Sequence, residues 1–323
     1  MEFNNENSND NSNFKIDIES IEKIILNDTQ NDNTVENNNE TIPDNNLKTI
    51  DEVPEYIKEK YTTEYVTCRN HRECIQNLFK IHSESVNAWT MVIQLLGVLI
   101  VSFYIIFKFK TNIVCSSILI LHCIAYICHF PFSFGYHTFL TLDKNEFLRW
   151  RRYDVYGIFV RCVILSFTLS FFTYKDIKYT ILNTLFTLYI VIKSIKQFEE
   201  QSADGKPLDK YEQGKLIGLI VFSYNIPVLY NLYNCIKNKN YDFSFKLSLL
   251  IVLTVFIFGG AYAFQYPDIF FEPGTFNKIG NSHNIMHLGL IILGVLEILY
   301  IFSKAKNNKY IRSFSKNIQK QII

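Results

Sequence analysis

Histidine is scarce in this chain, with seven among 323 residues, so its placement carries information. His283 and His287, in SHNIMH, stand i, i+4. On a helix that spacing sets both imidazoles on one face, within reach of a single metal ion. The alternative for an isolated HxxxH is two polar residues at an interfacial helix end, satisfied by water. A third histidine, His137 in SFGYHTF, and a carboxylate, Asp154 in RRYDVYG, change that balance. Each lies at the end of a long apolar run, where ionisable groups are costly enough to be read as functional. Three imidazoles with a carboxylate at the same depth suit a zinc ion that keeps room for water.

These residues meet only if the apolar runs alternate in direction. Seven segments approach the roughly twenty residues that a bilayer demands. They fall at 89–107, 113–134, 153–174, 177–195, 216–236, 245–264 and 283–302, and the fourth is the least apolar. In an alternating bundle the end of the second and the starts of the third and seventh share one membrane face. The fold class expected is therefore all-α: a polytopic membrane protein with a seven-transmembrane-helix bundle over 89–303. A disordered N-terminal tail (1–52) and an amphipathic juxtamembrane segment (53–88) precede it, and a basic tail (304–323) follows.

Charge divides the chain along the same lines. Residues 1–56 carry fourteen acids against three bases, so the overall net charge of +1 is a cancellation. Asn supplies fourteen of the first fifty positions, and such a tract buries too little apolar surface to offset its ordering entropy. The remaining bases are spread between apolar runs, which excludes a compact nucleic-acid binder. Phe79 and Ile81 suit the membrane surface. Lys and Arg concentrate in the loops on the N-terminal side, which sets the N-terminus in the cytoplasm despite the basic C-terminal tail. The membrane is the plasma membrane or an endomembrane. Seven Cys without a CxxC pair do not form a secreted disulfide scaffold.

Other polar residues in the apolar runs have plainer readings. His122 and His129, i, i+7 in the second segment, read as satisfied core histidines. Arg161, two turns after Asp154, suits an internal ion pair or a lipid headgroup. Glu297 stands alone in the seventh segment. The pair Gly259-Gly260 suits close helix packing.

Three motifs in order give the chain a resemblance. His82, Glu84, Asn87, Trp89 and Thr90 match an HxExxNxW-type signature. Ser133, His137, Thr138, Asp154, Tyr156 and Gly157 match a second. The stretch GGAYAFQYPDIFFEPGTFNKIGNSHNIMH, through Ser282, His283 and His287, matches a third. Over residues 54–303 the chain resembles the progestin and adipoQ receptor family, which includes adiponectin receptors and bacterial hemolysin III proteins. The resemblance implies seven helices and one zinc near the cytoplasmic face. It implies His137, His283 and His287 as ligands, Asp154 holding the zinc-bound water, and Ser133 beside it. The family's His after Thr90 is Met91 here.

Three classes of function follow. A zinc-dependent lipid amide hydrolase would use Asp154 as proton acceptor on a membrane lipid such as a ceramide or another sphingolipid. A heptahelical receptor would use zinc structurally, although no soluble ligand-binding domain is visible. A hemolysin-like permeabilising protein or ion transporter would need a polar face through several spans, whereas the polar groups gather at one end.

Overall fold

The computed structural model describes residues 47–108, 112–202 and 210–306. Most of the Asn-rich tail and of the basic C-terminal run lies outside the described residues. Residues 47–52, expected within the tail, belong to a small β-layer and a single 3₁₀ turn. Strand β1 (Leu47–Thr49) pairs antiparallel with β2 (Glu64–Val66), Lys48 opposite Tyr65. A short helix α1 (His71–Asn77) follows, capped by Asn70, whose side chain accepts from the Glu73 N–H. Cys68 and Cys74 form a disulfide across this connection, a pairing that their spacing did not announce.

The long helices are α2 (Ser85–Lys108), α3 (Ile113–Phe139), α4 (Lys144–Tyr174), α5 (Ile177–Ser202), α6 (Lys210–Lys237), α7 (Phe243–Ala263) and α8 (Ser282–Lys306). Polar caps mark their starts. Asp143 accepts from the N–H groups of Asn145 and Glu146 at α4, and Asp242 accepts from Phe245 N–H at α7. Lys175, in the left-handed conformation at φ 58°, closes α4 and turns the chain into α5. A five-residue π segment, Val255–Gly259, interrupts α7.

Six of these helices (α2, α3, α4, α6, α7 and α8) are long and apolar enough to cross a membrane; α5 is not. The expectation of seven spans is therefore met for six. Apolar side chains on their outer faces, such as Ile100, Phe103 and Phe107 on α2, are exposed, the inverse of a soluble helix. This is an integral membrane protein.

The low hydropathy of α5 has a local cause. Its buried face carries Thr180, Asn183 and Thr187, while Leu182, Leu185, Tyr189 and Ile192 are exposed. Asn183 Nδ2 donates to Ser166 Oγ of α4 at 2.8 Å, and that hydroxyl pairs with Thr187 Oγ1 at 2.9 Å. Interhelical hydrogen bonds of this kind join helices inside a bilayer. α5 runs antiparallel along most of α4, and Glu199 near its end meets Arg152 and Tyr156 near the start of α4.

Close approach falls at other glycines than Gly259 and Gly260. A Cβ on either of those would meet nothing within 4 Å, whereas one on Gly135 would sit 2.1 Å from the Trp150 ring. At Gly289 it would sit 2.3 Å from Phe258 Cβ. These contacts lock α3 against α4 and α8 against α7, the helices that carry the chemistry-bearing residues.

The connection between α7 and α8 folds back over the helix ends. Gly274 N–H donates to Tyr61 O at 2.9 Å, and Asn277 both accepts from Thr63 N–H and donates to its hydroxyl. Lys210 at the start of α6 pairs with Glu59 at 3.0 Å. The β-layer and this loop together cap the end of the bundle that holds the histidines.

Candidate metal centre

His137 lies two residues before the end of α3. His283 and His287 occupy the first two turns of α8, one above the other as their spacing requires. The structure brings the three together: one ring nitrogen from each lies within 4.8 Å of the others, and the ring centroids are 4.8 to 5.1 Å apart.

The hydrogen bonds around them fit a metal. His137 Nδ1 pairs with Glu84 Oε2 at 2.7 Å, while its Nε2 is buried and has no partner among the described residues. An imidazole anchored through one nitrogen and left bare at the other has the arrangement of a metal ligand with its outer partner. His287 Nδ1 pairs with Thr90 Oγ1 at 3.3 Å. His283 packs against Tyr262. Three imidazoles converging on one point can hold a metal ion.

The anchoring residues come from the start of α2 and the turn before it. Asn87 donates to Glu84 Oε2 at 2.9 Å and accepts from Asn284 Nδ2 at 2.8 Å, tying α2 to α8. Burial alone would raise the Glu84 carboxyl, but the hydrogen bonds from His137 and Asn87 outweigh it and hold that group below its ordinary value. The first sequence motif thus surrounds the histidines, although none of its residues belongs to the triad. Met91, where the family's His would stand, is buried with its apolar side chain inside the bundle. Glu84→Gln is expected to weaken metal binding by about 10- to 100-fold, the usual cost of losing such an outer partner. Titration of the apo-protein with zinc against a competing chelator measures it.

Asp154 lies well inside α4 rather than at its start, because that helix begins at Lys144. Its Oδ1 meets His129 Nε2 at 3.0 Å. His129, buried as the sequence suggested, is therefore also a neighbour of the site. Ser133, buried on α3 between His129 and His137, lies against Asp154. Four-residue steps from His129 to Ser133 to His137 make one stripe on α3, the signal that would have revealed His129.

His129, Ser133, His137, Asp154, His283 and His287 all line one cavity of about 690 Å³. It continues into the bundle between apolar side chains such as Ile158, Val221, Phe222, Val252 and Leu293. Two other lone residues find partners deeper in the bundle, and Arg161 among them lines the cavity. Arg161 lies over the Tyr126 ring, 4.3 Å from its centroid. Glu297 accepts from the hydroxyls of Tyr126 and Tyr224, and its Oε2 is 4.0 Å from His122 Nε2. Polar groups are thus not confined to one end of the bundle.

The profile of the family described as haemolysin-III related matches residues 79–297, which takes in Glu84, His129, His137, Asp154 and both α8 histidines. The chain belongs to this family. It is also similar to the adiponectin receptor protein of Drosophila melanogaster, 24% identical over 231 residues. That match covers 68% of this chain and 50% of the relative, so the chain spans about half the length of the curated relative it matches. Both findings agree with the resemblance carried by the three motifs.

Proposed function

We propose that this protein is a zinc-dependent amide hydrolase acting on a membrane lipid of the ceramide type, in a seven-span bundle with a cytoplasmic N-terminus. One observation carries the reading: three converging imidazoles and a partly buried carboxylate open into a cavity whose inner wall is largely apolar. Its volume, about 690 Å³, falls in the range of ligand pockets. The exposed apolar face of α5 and its antiparallel course along α4 support a seventh span.

Zinc is favoured because three imidazoles leave a fourth position for water in tetrahedral geometry. His137, His283 and His287 would hold it, with Glu84 and Thr90 fixing two of the rings. When bound, the ion supplies a polarising centre that acidifies water and draws charge from a carbonyl oxygen. Asp154 is the proton acceptor. His129 Nε2–H donates to Oδ1 and Ser133 steadies the same carboxylate, which is placed to take a proton. The attacking water's oxygen bonds to the amide carbon. Its proton passes to Asp154 and then to the departing nitrogen as the C–N bond breaks, giving an acid and an amine. The apolar wall holds the acyl chain.

The test is turnover of a ceramide by the purified protein. Chelation is expected to abolish it and added zinc to restore it; unchanged turnover after complete metal removal would refute the reading. The Drosophila relative is named as a receptor, and a receptor with a structural metal is the second reading. It predicts metal without turnover.

A further inference from the structure

Two polar groups deep in the cavity have no role in the chemistry at its mouth. Arg161 is seven residues beyond Asp154 on α4, about 10 Å further into the bundle. Its side chain is 4% exposed and lines the cavity. Asn225, directly after Tyr224 on α6, lines the same cavity and is 5% exposed. Its Nδ2 donates to Val221 O at 3.0 Å, which fixes the orientation of the amide. Its Oδ1 is buried without a partner among the described residues. A bare acceptor at bilayer depth is costly unless something donates to it.

Tyr126 takes a hydrogen bond from Arg161, whose guanidinium carries five N–H donors, while the acceptor of Asn225 stays bare. Both oxygens of Glu297 are engaged by tyrosine hydroxyls, and His122 Nδ1 is held by Thr168 Oγ1 at 2.8 Å. The cavity therefore offers, at its inner end, a permanently charged donor and an unfilled acceptor. A hydroxyl satisfies both, accepting from a guanidinium while donating to an amide oxygen. A methylene satisfies neither, and a carboxylate would oppose the Asn225 oxygen.

We infer that Arg161 and Asn225 form a second polar subsite, which takes a hydroxyl carried midway along the chain of a lipid whose polar head lies at the histidine cluster. The inference rests on the reading that the cavity holds a lipid, and it does not depend on hydrolysis. The subsite makes the cavity selective for hydroxylated chains over plain ones of equal length.

The test uses two radiolabelled probes that cannot be hydrolysed: stearyl methyl ketone and the same ketone with a hydroxyl midway along its chain. Their binding to the full-length protein in detergent is measured by equilibrium dialysis. The wild type is expected to hold the hydroxylated ketone about tenfold more tightly, the worth of one hydrogen bond to a charged group. Asn225→Leu should bind both ketones equally and unfold no earlier than the wild type, because it removes an unsatisfied acceptor. Equal affinity of the wild type for the two ketones would overturn the subsite while leaving the lipid cavity standing. An undiminished preference in Asn225→Leu would overturn it as well. Binding of neither ketone would remove the lipid reading and the subsite with it.

Discussion

Asp154→Asn is expected to lower ceramide turnover by about 10²- to 10⁴-fold, the range lost when a positioned general base is removed. The substitution keeps the shape of the side chain and an oxygen that can still accept from His129, whose Nε2 meets Oδ1 at 3.0 Å. What it removes is the capacity to take a proton. Asp154 stands outside the cluster formed by His137, His283 and His287, so metal content and thermal unfolding should match the wild type. Full turnover in the Asn variant would show that another group accepts the proton. Loss of metal in parallel would make Asp154 a ligand instead.

A second large effect is expected away from the histidine cluster. Glu297 is fully buried, and it accepts from Tyr126 and Tyr224 within a cluster that also holds Arg161 and His122. Glu297→Ala leaves two hydroxyls without an acceptor and a guanidinium without its compensating charge. Breaking a buried charged network by removing one member costs about 3–5 kcal/mol, against a smaller loss when the opposing charges leave together. Glu297→Ala should therefore unfold well before the wild type, and the Arg161→Met, Glu297→Leu double variant should recover most of the difference. Thermal unfolding in detergent of all three proteins checks this. A single variant as stable as the wild type would show that Glu297 does not compensate Arg161.

The sequence made the histidine triad legible because two local rules suffice. The i, i+4 spacing of His283 and His287 sets them on one helix face, and alternation of spans returns His137 to the same end. What lay beyond it depends on contacts between distant parts of the chain. Glu84 and His137 are 53 residues apart, and Asn87 and Asn284 are 197 apart. No spacing within either segment expresses those pairs. Glu297 looked unpartnered for the same reason, since its tyrosines come from α3 and α6.

α5 fell short as an apolar span because hydropathy averages around a helix, whereas Asn183 and Thr187 bond to Ser166 of α4 and Thr180 and Thr184 bond back along their own chain. Gly259 and Gly260 misled in the opposite direction. A glycine pair suits close packing, but the partner helix approaches at Gly289, and the pair borders the cavity. His129 was the one site neighbour that a local rule could have found, through its four-residue steps to Ser133 and His137.

The central claim is that the three histidines bind zinc, and elemental analysis tests it most directly. The full-length protein, purified in detergent, is compared with a His283→Ala, His287→Ala double variant, both checked for a folded helical signal. About one zinc per chain in the wild type is predicted from three ligands meeting at one point, with loss of that zinc in the variant. A well-folded wild type without metal, or a double variant that retains it in full, would contradict the account.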